Sequence, residues 1–196
     1  MSILALTSDT LIGTPAAGNV EYNGQFFGTD SNNARAQMQR ITQGTSVAST
    51  SGTSIDFTAL PSWIKRITVM FAGVSTSGTS QIQVQLGSGS PTTTGYIGGA
   101  GYFTGGPATG ATSATTGFII RASPGAADIH YGLMTICLTG SNTWIESWTG
   151  YMSNNTTCES GAGAIALAGV LDRVRLTTVN GTDTFDAGSI NIMYEG

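Results

Sequence analysis

From Ile55 onward the chain is written in short runs of apolar residues that alternate with polar ones and break at close spacing on Gly, Ser, Thr and Asn. A period of two with frequent turn chemistry belongs to half-buried antiparallel strands, and no long amphipathic helix is visible. The sharpest case is Gln81 to Leu86, where Ile82, Val84 and Leu86 share one face and three glutamines the other, so the register is well specified. Lys65 to Phe71 sets Ile67, Val69 and Phe71 against Thr68 and Met70. Further strands are expected at Ile55 to Phe57, Phe118 to Arg121, Ile129 to Leu138, Trp144 to Met152, Ala164 to Leu167, Leu171 to Thr178 and Ser189 to Tyr194. These segments predict an all-β fold, an antiparallel β-sandwich near the eight strands of a jelly roll. In Leu171 to Thr178 the apolar Leu171, Val174 and Leu176 keep no strict period, which points to a bulge or an edge position. Gly87 to Thr116, rich in Gly, Thr, Ser and Pro, reads as a long loop with one poor strand.

The first forty-odd residues differ. Val20 to Phe27 reads as a hairpin turning at Asn23-Gly24, because both residues tolerate positive φ. Ser31 to Arg40 is the one plausible helical turn of this region, and Gly44 to Ser54 reads as a linker. The expected division is an N-terminal anchor or trimerisation segment over 1–45 and a β domain over 46–196. A hairpin alone cannot bury a core, so Leu4, Leu6, Leu11, Tyr22, Phe26 and Phe27 are candidate docking or trimer contacts.

Composition narrows the chemistry. About a quarter of the residues are Ser or Thr, Gly is 28 of 196, and 9% carry charge. Such a chain makes turns and ladders readily but has few groups for proton transfer or metal binding. A net charge of -4 argues against gripping nucleic acid through a basic field. No segment approaches the roughly 20 apolar residues of a membrane helix, and the start lacks the basic n-region and apolar run of a signal peptide. Assembly in a cytosol is expected. Cys137 and Cys158 read as two free thiols, the first of them buried. Strands of this kind with outward aromatics are poor surfaces for a lone soluble monomer.

No catalytic, cofactor or metal site is expected. His130 is the only histidine, which rules out a histidine cluster within one chain. Asp183 with Asp186 falls short of the six to eight oxygens of a calcium site. Acid pairs such as Asp128 with Glu146 carry no mark of a glycosidase. Pro61 before Trp63 suits a turn into a strand, with Trp63 lidding the core. Ring and amide groups that could hold a glycan concentrate at Trp144, Trp148, Tyr151, Asn154 and Asn155, and second at Tyr96, Tyr102 and Phe103. Positions 144 and 148 agree in strand parity and 151 does not.

Three blocks carry a family resemblance. Thr53 to Phe71, with Leu60-Pro61-Ser62-Trp63, continues in Gly73 to Ser80, and the C-terminal Leu171 to Ile192 contains Asn180-Gly181-Thr182-Asp183. Together they resemble the distal module of tail-fibre-like virion proteins of tailed bacteriophages and prophages, over roughly residues 50 to 196. Pro15 to Phe27 looks like a short segment that recurs ahead of a β-rich fibre tip. The resemblance implies an all-β, homotrimeric virion protein without enzymatic activity, assembled in the host cytoplasm. Its partners would be itself, other tail, baseplate or capsid proteins, and a bacterial surface glycan or protein. The expected role is a short trimeric tail fibre or tip in host attachment, with a capsid decoration or head-fibre protein and a structural tail adaptor as alternatives.

Overall fold

A computed structural model describes residues 11, 13–14, 16–23, 25–105 and 109–196, in two compact units that part between Arg40 and Ile41. Leu4 and Leu6 lie outside the described residues. The first unit is an antiparallel sheet of β1 (Val20–Tyr22), β2 (Phe26–Thr29) and β3 (Arg35–Gln37). The expected hairpin pairs Tyr22 with Phe26, their ring centres 5.0 Å apart. The expected helical turn gives way to β3. Arg35 there closes a two-pronged ion pair on Glu21, with Nε 2.6 Å from Oε2 and Nη2 3.2 Å from Oε1. Helix propensity is worth a few tenths of a kcal/mol per residue, less than a strand ladder plus a bidentate pair. Asp30 shapes the turn before it by accepting the N–H groups of Asn32 and Ala34, while Asn33 takes φ 61°.

The second unit is built from strands alone. In chain order they are β4 (Ile41–Gln43), β5 (Val47–Ala48), β6 (Ser54–Phe57), β7 (Arg66–Thr76), β8 (Ile82–Ser88), β9 (Ser90–Pro91) and β10 (Ile97–Thr104). Next come β11 (Thr109–Ala114), β12 (Phe118–Ile119), β13 (His130–Gly140), β14 (Thr143–Met152), β15 (Thr157–Ala166), β16 (Arg173–Thr178) and β17 (Phe185–Glu195). A nine-stranded antiparallel sheet runs β11-β10-β15-β14-β13-β7-β17, with β4 and β5 both on the far edge of β17. A five-stranded one runs β12-β8-β16-β6, with β9 on β8. One core joins them: Ile67, Val69, Phe71, Met134, Ile136 and Ile192 of the large sheet share a cluster with Ile55, Val84, Leu86, Val174 and Leu176 of the small one. The result is a β-sandwich-like, all-β unit, each buried Ile, Leu or Val contributing about 1.5–3 kcal/mol.

All nine expected strands of the β domain are present. β7 pairs with β17 in one sheet and β8 with β16 in the other, so a two-stranded ribbon crosses between the sheets. Its crossing is tied by Asp183, whose carboxylate accepts Ser80 N–H and Asn180 Nδ2, and by Ser77 N–H on Thr184 O. The hydrogen bond from the Asn180 side chain, followed by that from Ser80, holds the Asp183 carboxyl below its ordinary value. Its oxygens are committed to the turn.

Three expectations are corrected. Gly87 to Thr116 is not a loop: it supplies β9, β10 and β11. Glycine permits this, since a Cβ at Gly98 or Gly99 would collide with the carbonyl of Ala162 or Thr112 in the neighbouring strand. The linker expected over Gly44 to Ser54 contains β5, and β5 and the preceding β4 both bond to β17, so the compact units part at 40/41 and not at 45/46. The bulge or edge expected near Leu171 to Thr178 is absent: β16 is an inner strand in regular register, and register shifts fall in β17 between Phe185 and Ser189 and in β13 at His130/Tyr131 and Leu138/Gly140.

Candidate functional site

The register brings the outward side chains of the large sheet into rows. One end row runs Phe103, Cys158, Tyr151, Tyr131, Ala72; the next runs Gly101, Ser160, Thr149, Leu133, Met70. The far end row runs Ile97, Ala164, Ile145, Cys137, Arg66. Ile97 is 77% exposed and Leu133 53%, and Tyr131, Ile145, Tyr151 and Phe103 are also exposed. Arg66 is the one charged side chain in these rows, and it pairs at the corner with Glu195 of β17. Beside the Tyr131–Leu133–Tyr151 ridge, with Ile145 two rows beyond Leu133 across Thr135 and Ser147, small residues such as Gly99, Gly101, Ala111, Ser160 and Ala162 leave a trough of about 560 Å³. Exposed apolar patches of this kind mark an interaction site.

The outer face of the small sheet is polar. Gln85 and Arg175 stand beside Asp56 in one row, Gln83 and Thr177 beside Ser54 in the next. Both glutamines are buried and hydrogen-bonded: Gln83 Nε2 donates to Thr178 O while its Oε1 accepts from Thr116 Oγ1, and Gln85 Nε2 donates to Thr116 O. Arg175 grips Asp56 with two bonds of 2.7 and 2.9 Å, and this contact raises the guanidinium pKa. Around these groups lies a groove of about 330 Å³ that also takes in Thr93 and Asn180.

The inner face of β14 corrects the ring-based expectation. Trp144 and Trp148 are 2% and 1% exposed and belong to the core, Trp148 meeting Phe71 edge-on at 4.9 Å. The Trp148 indole lies over Gly150 and Gly132, where any Cβ would overlap its ring. Neither tryptophan faces solvent. Tyr96 is buried as well, its hydroxyl accepting Leu86 N–H at 2.7 Å. Tyr102 is half-buried under the Arg121 guanidinium, 4.4 Å from its ring centre. Asn154 is spent on a turn, accepting Ile129 N–H and donating to Ala127 O; Asn155 is exposed. Of the rings offered for a glycan, Tyr151 and Phe103 stay exposed, both in the same outer row. Trp63 packs on Tyr194 at the edge of the core, in line with its expected lid role. Cys137 is half-buried on the outer face, not in the core, and Cys158 is exposed; both are free.

Sequence reading missed two buried polar groups. Between Trp144 and Trp148 sits Glu146, 6% exposed, and burial pushes its carboxyl up to about 8. Its Oε1 and both flanking indole Nε1 atoms are buried without a hydrogen-bond partner. At the β10–β15 end, Arg121 reaches Glu159 at 3.3 Å and Asp128 at 3.7 Å, and His130 Nδ1 lies 3.0 Å from Glu159 Oε1. The signal available in the sequence was acidic residues at core parity within strands. Arg121, His130 and Glu159 are buried, so the cluster closes the core. Asp128 is committed to Arg121 and Glu146 points inward, so the acid pair weighed for glycoside cleavage shares no cleft.

In the N-terminal unit, Tyr22 and Phe27 are half-buried, Phe26 is exposed, and Leu11 is half-buried. Tyr22, Phe26, Met38 and Arg40 line a groove of about 310 Å³. Among the described residues no group of three or more His, Cys, Asp or Glu could hold a metal ion. No protein-family model matches the chain, and no curated protein matches it.

Proposed function

We infer that this chain is a structural virion protein of a tailed bacteriophage, a short trimeric tail fibre or fibre tip that takes part in host attachment. The observation that carries the reading is the contrast between the sandwich's two outer faces, one apolar and almost free of charge, the other amide, hydroxyl and ion pair. A surface of the first kind suits a protein that is one subunit of an assembly. The fibre-like blocks at Thr53 to Ser80 and Leu171 to Ile192 support the virion, and the ribbon of β7–β8 against β16–β17 supports a jelly-roll-like fold. Receptor contact is assigned to the polar groove at Gln85, Thr93, Arg175 and Asn180, whose groups match the hydroxyls of a surface glycan. The protein assembles in the host cytoplasm, carries no cofactor, and performs no reaction.

A second reading, a capsid decoration or head-fibre protein, is favoured by the separate N-terminal unit, with exposed Phe26 and Met38 beside a groove of its own. Immunogold labelling of intact virions with an antibody against residues 41–196 tests both. Gold at the tail or baseplate supports the fibre, gold over the capsid supports decoration, and unlabelled virions sink both.

A further inference from the structure

We propose that copies of this chain pack on one another through the outer face of the nine-stranded sheet, the β13–β14 ridge of one copy lying in the small-residue trough of the next. The inference rests on the homotrimer reading above and supplies its contact surface.

Charge selects the occupant. A charged partner surface would lose its water against this face and find no counter-charge, apart from Arg66, which Glu195 already holds. The cover must therefore be as uncharged as the face itself. The opposite face of this protein does not qualify, since it presents Asp56, Arg173 and Arg175. The same face of a second copy does.

Area and shape agree. The face spans β11 to β7 in the sheet order. Five spacings of about 4.8 Å and strands of about 30 Å give a footprint on the order of 700 Å². In a closed ring each copy shares that footprint between two neighbours, about half to each, and the three contacts of a trimer together bury on the order of 2,100 Å². Tyr131, Leu133 and Tyr151 form a ridge on β13 and β14, while Gly101, Ser160 and Ala162 form the trough on β10 and β15. Ridge and trough lie side by side, so each copy offers one and receives the other, a contact that repeats around a closed ring.

The test is the solution mass of the full chain by size exclusion with light scattering, for the wild type, Leu133→Glu, Ile145→Lys and Ile97→Asp. Ser90→Glu, exposed in β9 of the small sheet, serves as the control. The wild type and the control should run near three times 20.0 kDa. Leu133→Glu and Ile145→Lys should run as folded monomers, with self-association weakened at least about a hundredfold. Ile97→Asp keeps the test decisive if the other variants fail to fold, because its side chain is the most exposed of the set. Outer-face variants that keep the wild-type mass overturn this interface while leaving the homotrimer reading standing. Dissociation by Ser90→Glu overturns it as well. A monomeric wild type overturns interface and trimer together, and leaves virion location to the labelling experiment.

Discussion

The two faces of the nine-stranded sheet use similar side chains to different ends. Along β14, Trp144, Glu146, Trp148 and Met152 point to the small sheet, while Ile145, Ser147, Thr149 and Tyr151 point away. The inner set is sealed so tightly that it accepts a neutralised acid and two unpaired indoles, and two glycines clear room for one ring. The outer set is equally apolar at its ends, yet no layer of the described second unit covers it. The same residue types thus seal a core on one side and, in the proposal above, meet a second copy on the other.

The contrast can be broken first from the inside. Trp148→Ala should cost about 3–5 kcal/mol by emptying the core over Gly132 and Gly150, read as a large drop in melting temperature. Glu146→Gln is next in size and depends on pH. The folded chain keeps a proton on Glu146 up to about pH 8, whereas the unfolded chain releases it near 4.5. The folded state thus binds more protons across that window, and stability falls as pH rises from 4.5 toward 8. That loss is of order 3 kcal/mol by pH 7. The glutamine variant should remove the slope, matching the wild type at pH 4 and exceeding it at pH 8 in urea titrations.

Smaller effects belong to the outside. Arg175→Ala on the polar face should cost under about 1 kcal/mol, because its pair with Asp56 is partly exposed. Ile145→Lys, one position from the buried Glu146, should change monomer stability by less than about 0.5 kcal/mol. A loss of several kcal/mol in the isolated monomer would mean that the outer face already has a partner within the chain.

Much of the fold could be read from residue order, and the reasons for the gaps are physical. Strands such as Gln81 to Leu86 were legible because their two faces differ in polarity. β10 and β11 were not, since Gly98, Gly99 and Gly101 leave no side-chain period even though they let strands lie close. β3 was hidden by good helix formers whose preference yields to the Glu21–Arg35 pair. On β14 the parity of Trp144 and Trp148 against Tyr151 was visible, but both faces carry large apolar groups, so parity could not say which was inside. The Arg121, His130 and Glu159 cluster joins residues far apart in sequence, each in a strand or turn that reads as ordinary.

Cys158 offers the most direct measurement, because it is an exposed thiol in the same outer row as Tyr151 and Phe103. If copies cover this face, alkylation of Cys158 in the native protein will be slow at tens of micromolar, speed up on dilution, and be fast at every concentration in Leu133→Glu. Alkylation of the wild type at the unfolded-chain rate, independent of concentration, would contradict the account.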